Sequence, residues 1–182
     1  LASTASVQAA QEAHGSLAFW SGFTGSRKFD RFTETEKKFI ANRDSFYIAT
    51  VSETGWPYVQ HRGGPSGFMK VLDDRTLGFV DFRGNRQYIT QGNVSADDRA
   101  ALFLMDYPGQ RRLKIYAHVE VKSFADDPAL ASKLILPEYK GKAERAMLLH
   151  LDAFDWNCPQ HITPRFTEAE INQAILPLRN RL

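Results

Sequence analysis

Alternation of apolar and polar positions dominates the middle of this chain. Leu113 to Val121 reads LKIYAHVEV, which places every second residue on one face and predicts a half-buried strand. Phe46 to Val51 (FYIATV), Tyr58 to Arg62, Phe68 to Leu72 and Thr76 to Phe82 are short β-rich runs. Turn residues separate them: Glu53-Thr54-Gly55, Gly63-Gly64-Pro65 and Asp73-Asp74. Ala100 to Asp106 (AALFLMD) is apolar throughout and predicts a central strand. Ala146 to Phe154 fits either a strand or the end of a helix starting near Lys142, and is read as a strand. The pattern predicts a mainly β protein, a six- to seven-stranded antiparallel barrel with peripheral helices.

Helices are fewer. Thr33 with Glu36 forms a capping-box pattern ahead of Phe39 and Ile40, predicting a helix that ends near Asn42 to Asp44. Asn85 is the expected N-cap of a short helix to Gln91, and Asp127 to Leu134 reads as helical. Thr167 and Glu170 repeat the capping box and open a C-terminal helix over 167–182, with an interruption expected at Pro177. Residues 1–30 form an Ala/Ser/Gln-rich extension, expected to be partly ordered or tail-like, with Phe19, Trp20, Phe23 and Phe29 available for packing.

Composition narrows the class. At 182 residues one domain spanning 1–182 is expected. A net charge of +2, with basic residues spread along the chain, gives no basis for nucleic-acid binding. The single cysteine, Cys158, excludes a disulfide scaffold and suits a reducing compartment. The chain has no apolar run of membrane-spanning length, and its first residues lack a secretory pattern. A cytoplasmic protein without membrane or nucleic-acid partners is the expectation. The first residue is Leu rather than Met, which fits a processed or trimmed chain.

Candidate chemistry sits in two segments, Gln60-His61-Arg62-Gly63-Gly64-Pro65 and Asp81-Phe82-Arg83-Gly84-Asn85-Arg86-Gln87. Each ends a strand and sets Arg beside Gly at a chain reversal. Guanidinium forks, accessible backbone N–H groups and room for close approach are what a bound phosphate needs. Arg62 and Arg86 are the leading candidates. The alternative is that both form ion pairs with Asp73, Asp81 or Asp97. Strand alternation sends His61 and Arg62 to opposite faces, so Arg62 is assigned to the site and His61 to its rim. Asp81 and Arg83 share a face and can pair. Gln60 and Gln87 can hydrogen-bond a polar ring edge, and Trp56 can supply an aromatic wall or simply pack. Cys158 and His161 are too few for a zinc site, so no metal is expected. A Cys-His nucleophile lacks an accompanying oxyanion motif. Gly-x-Ser-x-Gly and Walker patterns are absent.

The order FYIATV, YVQHR, FMKVLDD, TLGFVDF, GNRQ, ALFLMDY and RRLKIYAHVEV resembles the pyridoxamine 5′-phosphate oxidase-like superfamily of FMN-binding split β-barrels. TGSRKFDR and FDWNCPQHITPR look like an uncharacterised bacterial branch of it, so the likeness covers roughly residues 22–166. The resemblance implies a homodimer with FMN at its interface and a small-molecule substrate. It assigns Arg62 and Lys70 to the family's Arg and Lys, although Gly63-Gly64-Pro65 lengthens the spacing between them. Asn85, Arg86 and Gln87 stand where the family has a Ser-Arg-Lys run. Arg112 replaces a family Gln, and Trp156 matches a late Trp near the flavin.

The family's phosphate-binding substrate segment after the sixth strand is absent, as is its C-terminal Arg-x-His-x-Arg. The resemblance therefore implies FMN binding more strongly than vitamin B6 oxidation. The expected function is an FMN-dependent oxidoreductase with His161 and Arg165 as substrate-side candidates. The alternatives are a non-catalytic flavin carrier, or a deazaflavin- or haem-binding barrel. WNCPQHITPR is expected to cover the flavin site or the dimer seam.

Overall fold

The computed structural model describes residues 3–21, 29–156 and 159–179. Seven strands form one antiparallel sheet: β1 (Ser45–Val51), β2 (Pro57–Gly63), β3 (Lys70–Val71), β4 (Thr76–Phe82), β5 (Arg99–Asp106), β6 (Arg111–Ser123) and β7 (Ala143–Trp156). Their spatial order is β2-β1-β5-β6-β7-β4-β3. Alternation in β5 and β6 places Leu102, Leu104, Leu113, Ile115, Ala117 and Val119 on the inner face. They pack with Phe46 and Ile48 of β1, and with Leu77 and Phe79 of β4. Phe46 meets Phe79 edge-on at 5.2 Å. This is the split β-barrel that the periodicity and the resemblance anticipate.

The strands match the sequence expectations closely, with β3 the exception. Phe68 and Met69, expected in that strand, are buried in the core, and pairing with β4 is confined to Lys70↔Gly78 and Val71↔Leu77. Gly67 at φ 77° turns the chain just before them. A Cβ at Gly78 would lie 3.0 Å from Leu134 and Leu72, so this position must stay small for the segment ending at Leu134 to pack.

Six helices accompany the sheet among the described residues: α1 (Ala5–Ala13), α2 (Leu17–Ser21), α3 (Glu34–Ala41), α4 (Ile89–Ala96), α5 (Pro128–Leu134) and α6 (Glu168–Arg179). The capping box at α3 forms as expected, with Thr33 N–H donating to Glu36 at 2.9 Å. Asp127 caps α5, its carboxylate accepting from Leu130 N–H at 2.9 Å. The described part of the extension carries two helices, in keeping with the expected partial order. Thr4 caps α1, a helix of good helix formers, yet neither α1 nor α2 has a buried residue. Helix α6 runs through Pro177 to Arg179 instead of stopping at it. Pro177 has no N–H to donate to the carbonyl four residues earlier, so the last turn of this helix lacks one backbone hydrogen bond. No described helix is long and apolar enough to cross a membrane.

A third correction lies next to the candidate site. Helix α4 starts at Ile89, with Tyr88 rather than Asn85 at its N-cap. Arg86 and Tyr88 adopt left-handed φ values of 64° and 53°, so the chain cannot become helical before residue 89. Asn85 instead accepts from the Gln87 N–H at 3.2 Å, closing an Asx turn.

Candidate functional site: an arginine-lined cleft where the sheet edges meet

In the sheet order, β2 and β4 are separated by β1, β5, β6 and β7. The sheet nevertheless curls until Arg62 of β2 meets Asp81 of β4, with Nη1 donating to Oδ1 at 2.8 Å. The gap between these strands is roofed by the β4–α4 loop and the start of α4. It leaves a cleft of about 210 Å³ lined by Gln60, Arg62, Asp81, Asn85, Arg86 and Gln87, and by neighbouring backbone and side chains of 82–91. Both Arg-Gly segments singled out in the sequence thus reach one cavity.

Charge in and around the cleft is organised. Asp81 is 7% exposed and accepts from Arg62, while its second oxygen lies 3.7 Å from Arg145 Nε. Arg145 also contacts Glu144 at 2.7 Å, hydrogen-bonds Gln91, and stacks over the Tyr88 ring at 4.9 Å. Arg83 does not pair with Asp81. It donates to Glu144 at 2.7 Å, a hydrogen bond that holds the Glu144 carboxyl below its usual range. Arg62, Arg83, Arg86 and Arg145 therefore face Asp81 and Glu144, an excess of two positive charges.

Two arginines of the cleft stand apart. Arg62 Nε is buried and has no hydrogen-bond partner. A buried, unpaired guanidinium N–H carries a desolvation penalty that a bound acceptor would relieve. Arg86 lines the same cleft, is exposed, and makes no ion pair among the described residues. Thr90 of α4 donates to Gln60 at 2.8 Å and fixes that amide on the cleft wall.

The other expected site residues lie elsewhere in this chain. His61 is on the opposite face from Arg62, its ring 5.5 Å from Tyr47. Lys70 sits on β3, outside the cleft lining. Arg112 is on β6 with its guanidinium 5.9 Å above Phe103, and its Nε is also buried without a partner. Trp156 packs edge-on against Phe39, and its indole N–H donates to Glu36 at 2.8 Å. His161 and Arg165 belong to the segment crossing the β5–β6 turn, where Gln110 donates to the Ile162 carbonyl at 2.7 Å and Arg165 stacks on Tyr107. Neither lines the cleft. Cys158, Phe23 and most of TGSRKFDR lie outside the described residues.

Sequence reasoning missed Arg145, Glu144, Tyr88 and Thr90. The first two arrive through the cross-strand register Asp81↔Arg145, a contact between residues 64 apart in the chain. The visible signal was a charged Glu-Arg pair directly ahead of the apolar run Ala146–Leu149.

A family profile for pyridoxamine 5′-phosphate oxidase matches residues 32–150, about two thirds of the chain. No curated protein matches the sequence. Among solved structures, the fold is similar to HupZ of Group A Streptococcus, with 15% identity, TM-score 0.54, and coverage of 74% of this chain and 99% of that one. It is also similar to a Lactobacillus delbrueckii protein provisionally named a pyridoxamine 5′-phosphate oxidase, with 23% identity, TM-score 0.53, and coverage of 69% and 94%. At those identities the likeness is one of fold. The matched profile spans β1 to β4, α4 and β5 to most of β7, the elements that build the cleft, and on that span the chain belongs to the pyridoxamine 5′-phosphate oxidase family.

Proposed function

We propose that the cleft binds the phosphate of a flavin mononucleotide and that the protein is an FMN-dependent oxidoreductase. The observation that carries this reading is the meeting of Arg62 and Arg86 in one cavity, with Arg62 Nε buried and unpaired. The donor set fits a phosphoryl group: two guanidinium groups, the Gln87 amide and the backbone of the 84–88 turn. Gln60, pinned by Thr90, is positioned for the polar chain that follows the phosphate. When bound, FMN would supply the hydride- and electron-accepting ring. The protein's part is to hold the anion, fix the ring's orientation and exclude water.

A cleft of about 210 Å³ is smaller than the roughly 300–1,000 Å³ of most ligand pockets. The remainder of the ligand is assigned to a second copy of the chain. The outer face of β2, β1, β5 and β6 is apolar, with Tyr47, Val51, Val59, Phe103 and Tyr116 side by side. Val59 is 61% exposed and Trp56 is 75% exposed. Such a face suits a twofold homodimer. Sedimentation of the purified protein tests this: a dimer is expected, and a monomer that retains cofactor would contradict it.

A non-catalytic flavin carrier is the second reading. It is favoured by the position of His161 and Arg165 away from the cleft. Titration of the protein with FMN, followed by the absorption and fluorescence of the flavin, tests the flavin itself. Bleaching of that absorption by NADH or NADPH separates the enzyme from the carrier.

A further inference from the structure

Asp81 is an odd residue to find in a phosphate cleft. It is nearly fully buried, and both its oxygens face guanidinium groups: Oδ1 at 2.8 Å from Arg62, Oδ2 at 3.7 Å from Arg145. Its position is built in. Strand register sets Asp81 opposite Arg145, and the pairing shifts immediately after it, between Asp81 and Phe82. A carboxylate presents two oxygens to a guanidinium much as a phosphate does. Arg62 therefore has one N–H engaged by an internal anion and another, Nε, left buried without an acceptor.

We infer that Asp81 is a resident counter-ion which competes with an incoming phosphoryl group for the Arg62–Arg145 pair, making the cleft a weak, exchanging site for phosphorylated ligands. This rests on the reading of the cleft as a phosphate site. Two anions sharing one guanidinium repel at close range, and the repulsion weakens binding in proportion to the ligand's charge. The effect falls on the phosphate and leaves the flavin ring untouched. A ligand held this way exchanges with solvent instead of remaining as a permanent prosthetic group. Without ligand, the same carboxylate is the ion-pair partner of buried Arg62 and adds to the charge that Glu144 already sets against Arg145.

The test is Asp81→Asn, which keeps the shape and removes the charge, measured beside wild type by titration with FMN, riboflavin and inorganic phosphate. FMN and phosphate are expected to bind Asp81→Asn at least about fivefold more tightly, with riboflavin unchanged. Unchanged or weaker FMN binding by the folded variant overturns the inference, because it would make Asp81 an aligning group for Arg62 or a bystander. A second measurement needs no variant. In wild type, phosphate titration should move the Arg62 and Arg145 side-chain N–H resonances together with that of Arg86. A response from Arg86 alone would mean that Asp81 keeps its partners, and the inference fails while the cleft reading survives. If FMN and phosphate bind neither protein and no arginine responds, the cleft reading itself falls.

Discussion

Arg86 offers the cleanest perturbation of the proposed cleft. It lines the cavity, is exposed, and makes no ion pair among the described residues, so removing it should leave the fold intact. Surface substitutions of this kind shift stability by about 0.5 kcal/mol or less. Its left-handed φ of 64° is as unfavourable for Ala as for Arg, so Arg86→Ala adds no backbone strain. A hydrogen bond to a charged group contributes about 1.5–3 kcal/mol, and each 1.4 kcal/mol is tenfold in affinity. Arg86→Ala should therefore weaken FMN binding by about 10- to 150-fold while leaving the melting temperature close to wild type. Equilibrium titration by flavin fluorescence gives the first quantity and thermal unfolding the second. Arg86→Gly should lose the same affinity and, relieved of the left-handed conformation, melt at or above wild type. Unchanged FMN affinity in a folded Arg86→Ala would refute the phosphate assignment.

Three further outcomes test the frame around the cleft. Phe79 is 1% exposed at the centre of the barrel, and Phe79→Ala should cost about 3–5 kcal/mol in chemical denaturation. Trp156→Phe removes the indole donor to buried Glu36 and should cost about 1.5–3 kcal/mol, read in the same assay. His118 lies 2.8 Å from Asp98 and 3.1 Å from Asp152, and the hydrogen bond to Asp98 raises its pKa above the ordinary histidine value. A raised folded-state pKa adds stability that is fully present below the unfolded value, near 6.5, and disappears as pH rises through the folded value. The melting-temperature gap between wild type and His118→Gln should be widest at acid pH and close toward alkaline pH. A gap that widens with pH would contradict the assignment.

Much of the fold was legible because its sheet is half buried. Alternation in Leu113–Val121 and the apolar run Ala100–Asp106 report burial directly, and burial fixes strand and face together. The start of α4 was not legible. Two non-glycine residues, Arg86 and Tyr88, take left-handed conformations there, and nothing in the string GNRQY marks them. The bounds of α1 were not legible either, because a capped helix with no buried residue carries no periodic signal.

The candidate site divides along the same line. Arg62 and Arg86 stood out because each lies in a glycine-containing turn segment that follows a strand. Arg145 and Glu144 did not, since their approach to Asp81 depends on the register of β4 against β7. The sequence left open whether Arg62 meets a ligand or Asp81. In the structure it pairs with Asp81 and still holds one buried N–H without a partner. Lys70, Arg112 and Trp156 were carried over by position, and none of them lines the cleft of this chain.

The central claim is that this cleft recognises a phosphoryl group. Side-by-side calorimetric titration of the wild-type protein with FMN and with riboflavin, which differ in that group alone, tests it most directly. FMN should bind more tightly by about tenfold or more, with the difference shrinking as salt is raised. Equal affinity for the two at low salt would contradict the account.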